Sequence, residues 1–259
     1  MIAGEQKAGT TYLQANLARH PDIFMTKLKE PLFFSKKDYV PENVSHYLTE
    51  QFSDAGNERW VGEASALYFH HPQAMHRIKD AFGTNLRFII CLRHPTEKYI
   101  SLYLHNYRRG RLLGSEPILE TTPQQGMDLA NAQHANAMAR VISLFGRENV
   151  CFLHFETLRN NPHRFVTDAF SFLEVEDGPA ALNRALNVGN ELVVAGDHLT
   201  IAEAPKEGQV RPRFSRDELL DVHSRLQSDI NLAEKISGLD LSEWRLFPFK
   251  FDEASRVDA

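Results

Sequence analysis

The sequence predicts an α/β protein, a single domain with a central parallel sheet of about five strands flanked by helices. Three observations lead there. Short apolar runs alternate along the chain with stretches of helical periodicity, the pattern of successive strand-helix units. One run, LRFIICL at 86–92, is almost continuously apolar, as expected of a parallel strand buried on both faces. The chain also opens on a strand, a glycine-bearing loop and a helix. At 259 residues it is long enough for one such domain with a sizeable core, so residues 1–259 are read as that domain.

In order, Met1 to Ala3 are the first strand, shorter than the five or so residues usual for a central strand and therefore read as truncated at its start. The loop GEQKAGTT follows. TTYLQANLARHP is a helix in which Tyr12, Leu13 and Leu17 share a face and Pro21 ends the run. Residues 23–25 are a short strand, and Lys29-Glu30-Pro31 is an extended turn, because the residue before a proline avoids the helical region. A short helix is expected near 46–52. RWVGEASALYF holds a strand ending at Gly62-Glu63, and HPQAMHRIKDAFG a helix closed by Gly83. The strand 86–92 stops at Arg93-His94-Pro95. TEKYISLYLHNYRRG is then a helix capped by Thr96, with Tyr99, Ile100, Tyr103 and Leu104 at helical spacing. Residues 108–125, rich in glycine, proline and polar side chains, are a loop or lid of a length that usually serves a purpose. A helix over 127–145 leads to a strand over 150–155 and to the helix NPHRFVTDAFSFLEV. Residues 177–213 are weakly periodic. The stretch 215–237 is a helix, opened by the capping box Ser215-Arg216-Asp217-Glu218 and stopped at Gly238.

Composition narrows the partners. A net charge of −5 argues against nucleic acid, which needs a broad basic surface, but is compatible with a local basic pocket. Cys91 and Cys151 lie in apolar runs and read as small core residues, not as a disulfide or a metal site. No apolar segment approaches the roughly 20 residues of a membrane span, so a cytoplasmic location is the default expectation. The oligomeric state is open, with a homodimer compatible.

Ligands of a parallel sheet gather beyond the carboxyl ends of its strands, which singles out residues 4–11, 63–65 and 93–101. Gly4 and Gly9 let the backbone curl so that N–H groups, that of Ala8 among them, converge on an anion, and the helix beginning near Thr10 adds its positive end. Lys7 contributes a full charge, and Thr10 and Thr11 contribute hydroxyl donors. In an ATPase loop the lysine follows the second glycine and the next hydroxyl holds magnesium, backed by an acid at another strand end. Here Thr10 takes the lysine's place and the strand that should supply the acid ends in Arg93. The loop therefore suits an anion that arrives without a metal, the plainer alternative being a strand-to-helix turn. Arg93 and Ser101, the latter within the next helix, can clamp a second phosphate; an ordinary surface ion pair is the alternative for Arg93. Two cradles point to one ligand with phosphates at two ends.

Four segments carry a resemblance: Gly4-x-x-Lys7-x-Gly9-Thr10-Thr11, Lys29-Glu30-Pro31-Leu32-Phe33-Phe34, Arg93-His94-Pro95 with Ser101-Leu102-Tyr103-Leu104-His105, and Gly238-Leu239-Asp240-Leu241-Ser242-x-Trp244. In order and approximate spacing they resemble the sulfotransferases that use 3′-phosphoadenosine 5′-phosphosulfate (PAPS), and KEPLFF is closer to the heparan-type and bacterial branch. The resemblance implies a P-loop-like nucleotide-binding sulfotransferase fold that needs no metal and releases adenosine 3′,5′-bisphosphate. It assigns Lys7, Ala8, Gly9, Thr10 and Thr11 to the 5′-phosphosulfate, Arg93 and Ser101 to the 3′-phosphate, and Glu30 to the general base, a solvated charge on a turn being the alternative for Glu30. It also puts His105 near the acceptor as a partner in acid-base work, where a structural histidine is the alternative. Lys206, Gly208, Arg211 and Arg213 correspond to the loop that covers the adenosine, a solvated basic loop being the alternative. Glu63-Ala64-Ser65 departs from the related glycan enzymes, which often carry a lysine between the acid and the serine. The implied acceptor is a hydroxyl or amine of a small molecule or saccharide, in a pocket shaped by Tyr68, Phe69, His105, Tyr107 and residues 108–125. A kinase with an atypical phosphate loop and a catalytically silent nucleotide-binding protein are the competing readings.

Overall fold

The computed structural model describes residues 1–182 and 191–251. The chain forms two compact units, Met1–Arg93 with Ala137–Asn187 and His94–Asn136 with Val188–Ala259. In chain order the helices are α1 Thr10–Leu17, α2 Val44–Phe52, α3 Pro72–Phe82, α4 Pro95–Arg108, α5 Ala135–Phe145, α6 Phe155–Asn160, α7 Pro162–Leu173 and α8 Arg216–Ser237. None of the described helices is long and apolar enough to cross a membrane.

The first unit is built on parallel strands: β1 Ile2–Gly4, β2 Ile23–Met25, β3 Trp60–Gly62, β4 Phe88–Leu92 and β5 Val150–His154. β1, β4 and β5 form one ladder, with Ile2 opposite Ile89 and Phe88 to Leu92 opposite Val150 to His154. β2 pairs with β3, Ile23 opposite Trp60. A parallel bridge between Ile2 and Ala64 joins the two sets, with Ile2 N–H donating to the Glu63 carbonyl at 2.9 Å and Ser65 N–H to the Ile2 carbonyl at 3.0 Å. The strands thus run β2-β3-β1-β4-β5, the parallel sheet that the alternating pattern predicts. Every residue of β4 is buried, which is why it reads as a continuous apolar run. Leu13 and Leu17 of α1 and Phe165, Val166 and Phe170 of α7 share one core with Ile89 and Cys91. Both cysteines are free thiols, and burial pushes that of Cys151 up to about 12, too high for a reactive thiolate.

The second unit packs α4 and α8 with an antiparallel sheet of β6 Leu192–Ala195, β7 His198–Ile201 and β8 Phe214–Ser215. Its core includes Tyr99, Ile100, Tyr103, Leu199, Phe214, Val222 and Leu226. β6 and β7 lie where the sequence is only weakly periodic, and β8 just after it, ending on the Ser215 that caps α8; residues 183–190 fall outside the described residues.

Other boundaries differ from expectation for local reasons. The cap of α4 is His94, not Thr96: its Nδ1 accepts from the Thr96 N–H at 3.2 Å, and Pro95 takes the first helical position, where a missing N–H costs nothing. The helix expected over 127–145 divides into a 3-10 turn, Leu129–Ala132, and α5. Asp128 caps the turn through the Ala130 N–H at 2.9 Å, while the Asp229 carboxylate accepts from the N–H groups of His134 and Ala135 at 2.6 and 3.1 Å. The strand expected to reach 155 stops at His154 and α6 begins at once. At α8 the capping box is shared with a neighbouring segment, the Glu218 carboxyl being held by the Ser215 backbone and by Ile118. Ser215 accepts from the Glu218 N–H at 3.2 Å, and the Glu218 carboxylate takes the Ile118 N–H at 2.6 Å. Gly238 ends the helix with φ 69°, as predicted.

Candidate active site

The loop after β1 is organised by an acid, Glu5, whose place the sequence does not signal. Glu5 is fully buried. Its N–H donates to the Cys91 carbonyl at 2.9 Å, one carboxylate oxygen accepts from the Arg93 N–H at 2.9 Å, and the other lies 3.3 Å from His70 Nε2. The loop is thereby fastened to the end of β4. Arg93 returns the tie: its guanidinium donates to the Lys7 carbonyl at 3.2 Å and lies 4.6 Å over the Phe155 ring. Aromatic stacking of this kind is a use to which a planar guanidinium is suited.

Within the loop, Lys7 holds φ 70° and Gly9 φ 89°, both left-handed. Gly9 is the residue before α1 and has no side chain to offer the first-turn N–H groups. A Cβ on Gly9 would be held at φ 89° and would stand 2.5 Å from a methyl of Leu158, which would have to turn aside. Ala8 and Thr10 are buried, while Lys7 and Thr11 are partly exposed.

Glu30 stands at the same carboxyl edge of the parallel array, in a segment laced to the chain that follows β3. Its N–H donates to the Ala64 carbonyl at 2.9 Å, and one of its carboxylate oxygens accepts from the Ala66 N–H at 2.9 Å. The other accepts from Lys29 Nζ at 2.5 Å. Two residues on, the Leu32 N–H donates to Ser65 Oγ at 3.2 Å, Ser65 Oγ donates to the Glu63 carboxylate at 2.8 Å, and the Phe34 N–H donates to the Tyr68 hydroxyl at 3.2 Å. Phe33 stacks on Tyr47 with ring centres 4.4 Å apart. Burial pushes the Glu63 carboxyl up to about 7, against the opposing hydrogen bond from Ser65, and raises the Tyr47 and Tyr68 hydroxyls as well. Four non-glycine residues among those described have positive φ, and three of them, Lys7, Glu30 and Leu32, lie in these two segments. Such strain collects at functional sites, where surrounding structure over-determines it.

The remaining candidates fall in the second unit. Ser101 and His105 are partly buried on α4, His105 in its last turn. Lys206, Gly208 and Arg211 are exposed on a loop hitched to the end of α4: Lys206 Nζ donates to the Arg108 carbonyl at 3.0 Å, and Gln209 Nε2 to the carbonyls of Tyr107 at 2.7 Å and Leu112 at 3.0 Å. Arg213 of the same loop contacts His198 Nδ1 at 3.2 Å. The first unit therefore gathers Lys7, Ala8, Gly9, Thr10, Thr11, Arg93 and Glu30 at one sheet edge. An apolar cavity of about 360 Å³ lies beside the β2 and β3 strands, lined by Ile23, Met25, Phe34, Tyr47, Trp60 and Glu63 and by none of the glycine-loop residues.

The family model that describes a sulfotransferase domain matches residues 1–188. The chain is 30% identical over 105 residues to the membrane-associated sulfotransferase kil1 of Dictyostelium discoideum, a match covering 40% of this chain and 22% of that protein. It is 25% identical over 201 residues to the bifunctional heparan sulfate N-deacetylase/N-sulfotransferase 1 of Caenorhabditis briggsae, covering 69% and 23%. Each match thus spans less than a quarter of the relative's length. A sulfotransferase from Alicyclobacillus acidocaldarius superposes with a TM-score of 0.68 at 25% identity, over 95% of this chain and 97% of that one. The sulfotransferase domain from the curacin biosynthetic pathway superposes at 0.50 with 14% identity, over 98% and 93%, a likeness of fold alone.

Proposed function

The chain belongs to the sulfotransferase family, and from that premise we propose that it moves a sulfuryl group from PAPS to a hydroxyl or amine of a small-molecule or saccharide acceptor. The observation that carries this reading is the placing of a lysine and a carboxylate, Lys7 and Glu30, at one edge of one parallel array, each in a left-handed backbone conformation held by hydrogen bonds from neighbouring segments. A loop with an uncapped helix start, a lysine and two threonines fits an anionic phosphosulfate.

When bound, the donor supplies an activated sulfuryl group whose departure leaves negative charge on a phosphate oxygen. The Lys7 ammonium and the loop N–H groups stabilise that charge where it develops. Glu30 accepts the acceptor's proton. Each of its oxygens already receives one hydrogen bond, and each keeps a second lone pair for the purpose. Arg93 and Ser101 hold the 3′-phosphate, Lys206, Gly208 and Arg211 cover the adenosine, and His105 assists at the acceptor. The name of the C. briggsae relative assigns N-sulfation of a glycan to that protein, which brings saccharide amines into the acceptor class proposed for this chain.

A panel of hydroxyl and amine acceptors with labelled PAPS tests the reading. Wild-type protein is expected to label at least one acceptor. Glu30→Gln should lose on the order of 10²-fold or more in kcat, the scale of general base catalysis, with donor affinity unchanged. A fully active Glu30→Gln would refute the base assignment.

A further inference from the structure

We propose that Glu63 is a positioning residue for Glu30, acting through the Ser65 hydroxyl; the proposal rests on the reading of Glu30 as the base. A serine hydroxyl has one proton to give. Here it goes to the Glu63 carboxylate at 2.8 Å, which leaves the Ser65 lone pairs to receive the Leu32 N–H at 3.2 Å. Glu63 thus fixes the direction in which the whole chain of bonds runs.

That direction matters because of what it holds. Glu30 and Leu32 stand at φ 61° and 55° on either side of Pro31, so this short turn does not keep its shape from local preference. The tie at Leu32 and the bond from the Ala66 N–H to the Glu30 carboxylate come from the same stretch after β3, residues 63–66. With the Leu32 tie lost, the turn can relax toward ordinary backbone angles and carry Glu30 away from the Ala66 N–H. Glu63 itself is 1% exposed, and its second oxygen, on the side of the Tyr47 and Tyr68 hydroxyls, makes no hydrogen bond within 3.5 Å among the described residues. An acid buried on these terms is costly as a packing element. A role in orienting Ser65 accounts for its presence beside this segment.

The test compares Glu63→Ala, Glu63→Gln, Ser65→Ala, Ser65→Thr and the double variant Glu63→Ala/Ser65→Ala in the labelled-donor assay, with donor affinity measured alongside. Glu63→Ala and Ser65→Ala should each lower kcat by roughly 10²-fold, the scale of a misplaced catalytic group, with donor affinity unchanged. Glu63→Gln, whose amide oxygen can still accept from Ser65, and Ser65→Thr, which keeps the hydroxyl, should restore most of the rate. The double variant should be no worse than either alanine single, because both break one chain of bonds. Additive losses in the double variant, or donor affinity falling together with kcat, would mean a merely structural role and overturn the proposal. Wild-type kcat in Glu63→Ala and Ser65→Ala, with Glu30→Gln inactive, would overturn it while leaving the base assignment standing. A fully active Glu30→Gln would instead remove the base and this proposal with it.

Discussion

Lys7 and Glu30 hold backbone angles that cost of order 1–3 kcal/mol each for a side chain with a Cβ. A glycine at Lys7 would remove that strain and lose only the roughly 0.5–1 kcal/mol by which glycine loosens the unfolded chain. Lys7→Gly is therefore expected to be at least as stable as wild type in chemical denaturation, while kcat for sulfuryl transfer falls by about 10²–10³-fold, as when an oxyanion donor is removed. A variant that was both unstable and inactive would show Lys7 to be a structural residue instead. Lys7 stands out in the sequence because a lysine among such glycines has no packing use, whereas Glu30 is singled out there only by the resemblance of the KEPLFF segment. Glu5 was not legible. An acid inside an anion-binding loop runs against the chemistry of the loop, and its partners, the N–H of Arg93 and His70, lie 88 and 65 residues away.

At the level of elements, Gly9 joins the glycine loop to α1 and lies against Leu158. Gly9→Ala combines a left-handed φ of 89° with a contact of 2.5 Å to Leu158. It should lower unfolding stability by about 1–3 kcal/mol and weaken binding of adenosine 3′,5′-bisphosphate; unchanged values of both would show that the loop tolerates a shift. The elements read correctly from sequence are those whose cause is local. β4 is buried on both faces and shows as an apolar run, and α8 carries its own cap and stop in Ser215 and Gly238. Those missed depend on distant partners. β6 to β8 are antiparallel strands whose pattern has meaning only once they pair. The start of α5 is set by Asp229, more than ninety residues on. The lacing of Glu30 to residues 63–66 is of the same kind, and so the departure at Glu63-Ala64-Ser65 could be noted in the sequence but not interpreted there.

For the molecule as a whole, two buried groups pull stability in opposite directions with pH. His94 caps α4 through an unprotonated Nδ1, and burial lowers its pKa from 6.5 to about 4. Its contribution is complete above pH 6.5 and is lost as pH falls through about 4, on the order of 3 kcal/mol in all. Glu63 is raised from 4.5 to about 7, so its contribution is complete below pH 4.5 and is lost as pH rises through about 7. Between those limits the two partly cancel, and single variants separate them. His94→Asn, which keeps an acceptor for the Thr96 N–H, should lose less stability than wild type between pH 6.5 and 4. Glu63→Gln should lose less between pH 4.5 and 7. Denaturation midpoints across pH check both, and slopes identical to wild type would contradict the assignments. Calorimetric titration with adenosine 3′,5′-bisphosphate in the presence of a chelator, beside ATP with magnesium, asks whether the loop of Lys7 and Gly9 holds a phosphosulfate donor. Saturable binding of the bisphosphate is expected, unchanged by the chelator and weakened by Lys7→Ala. Binding of ATP with magnesium in the absence of any heat from the bisphosphate would contradict it.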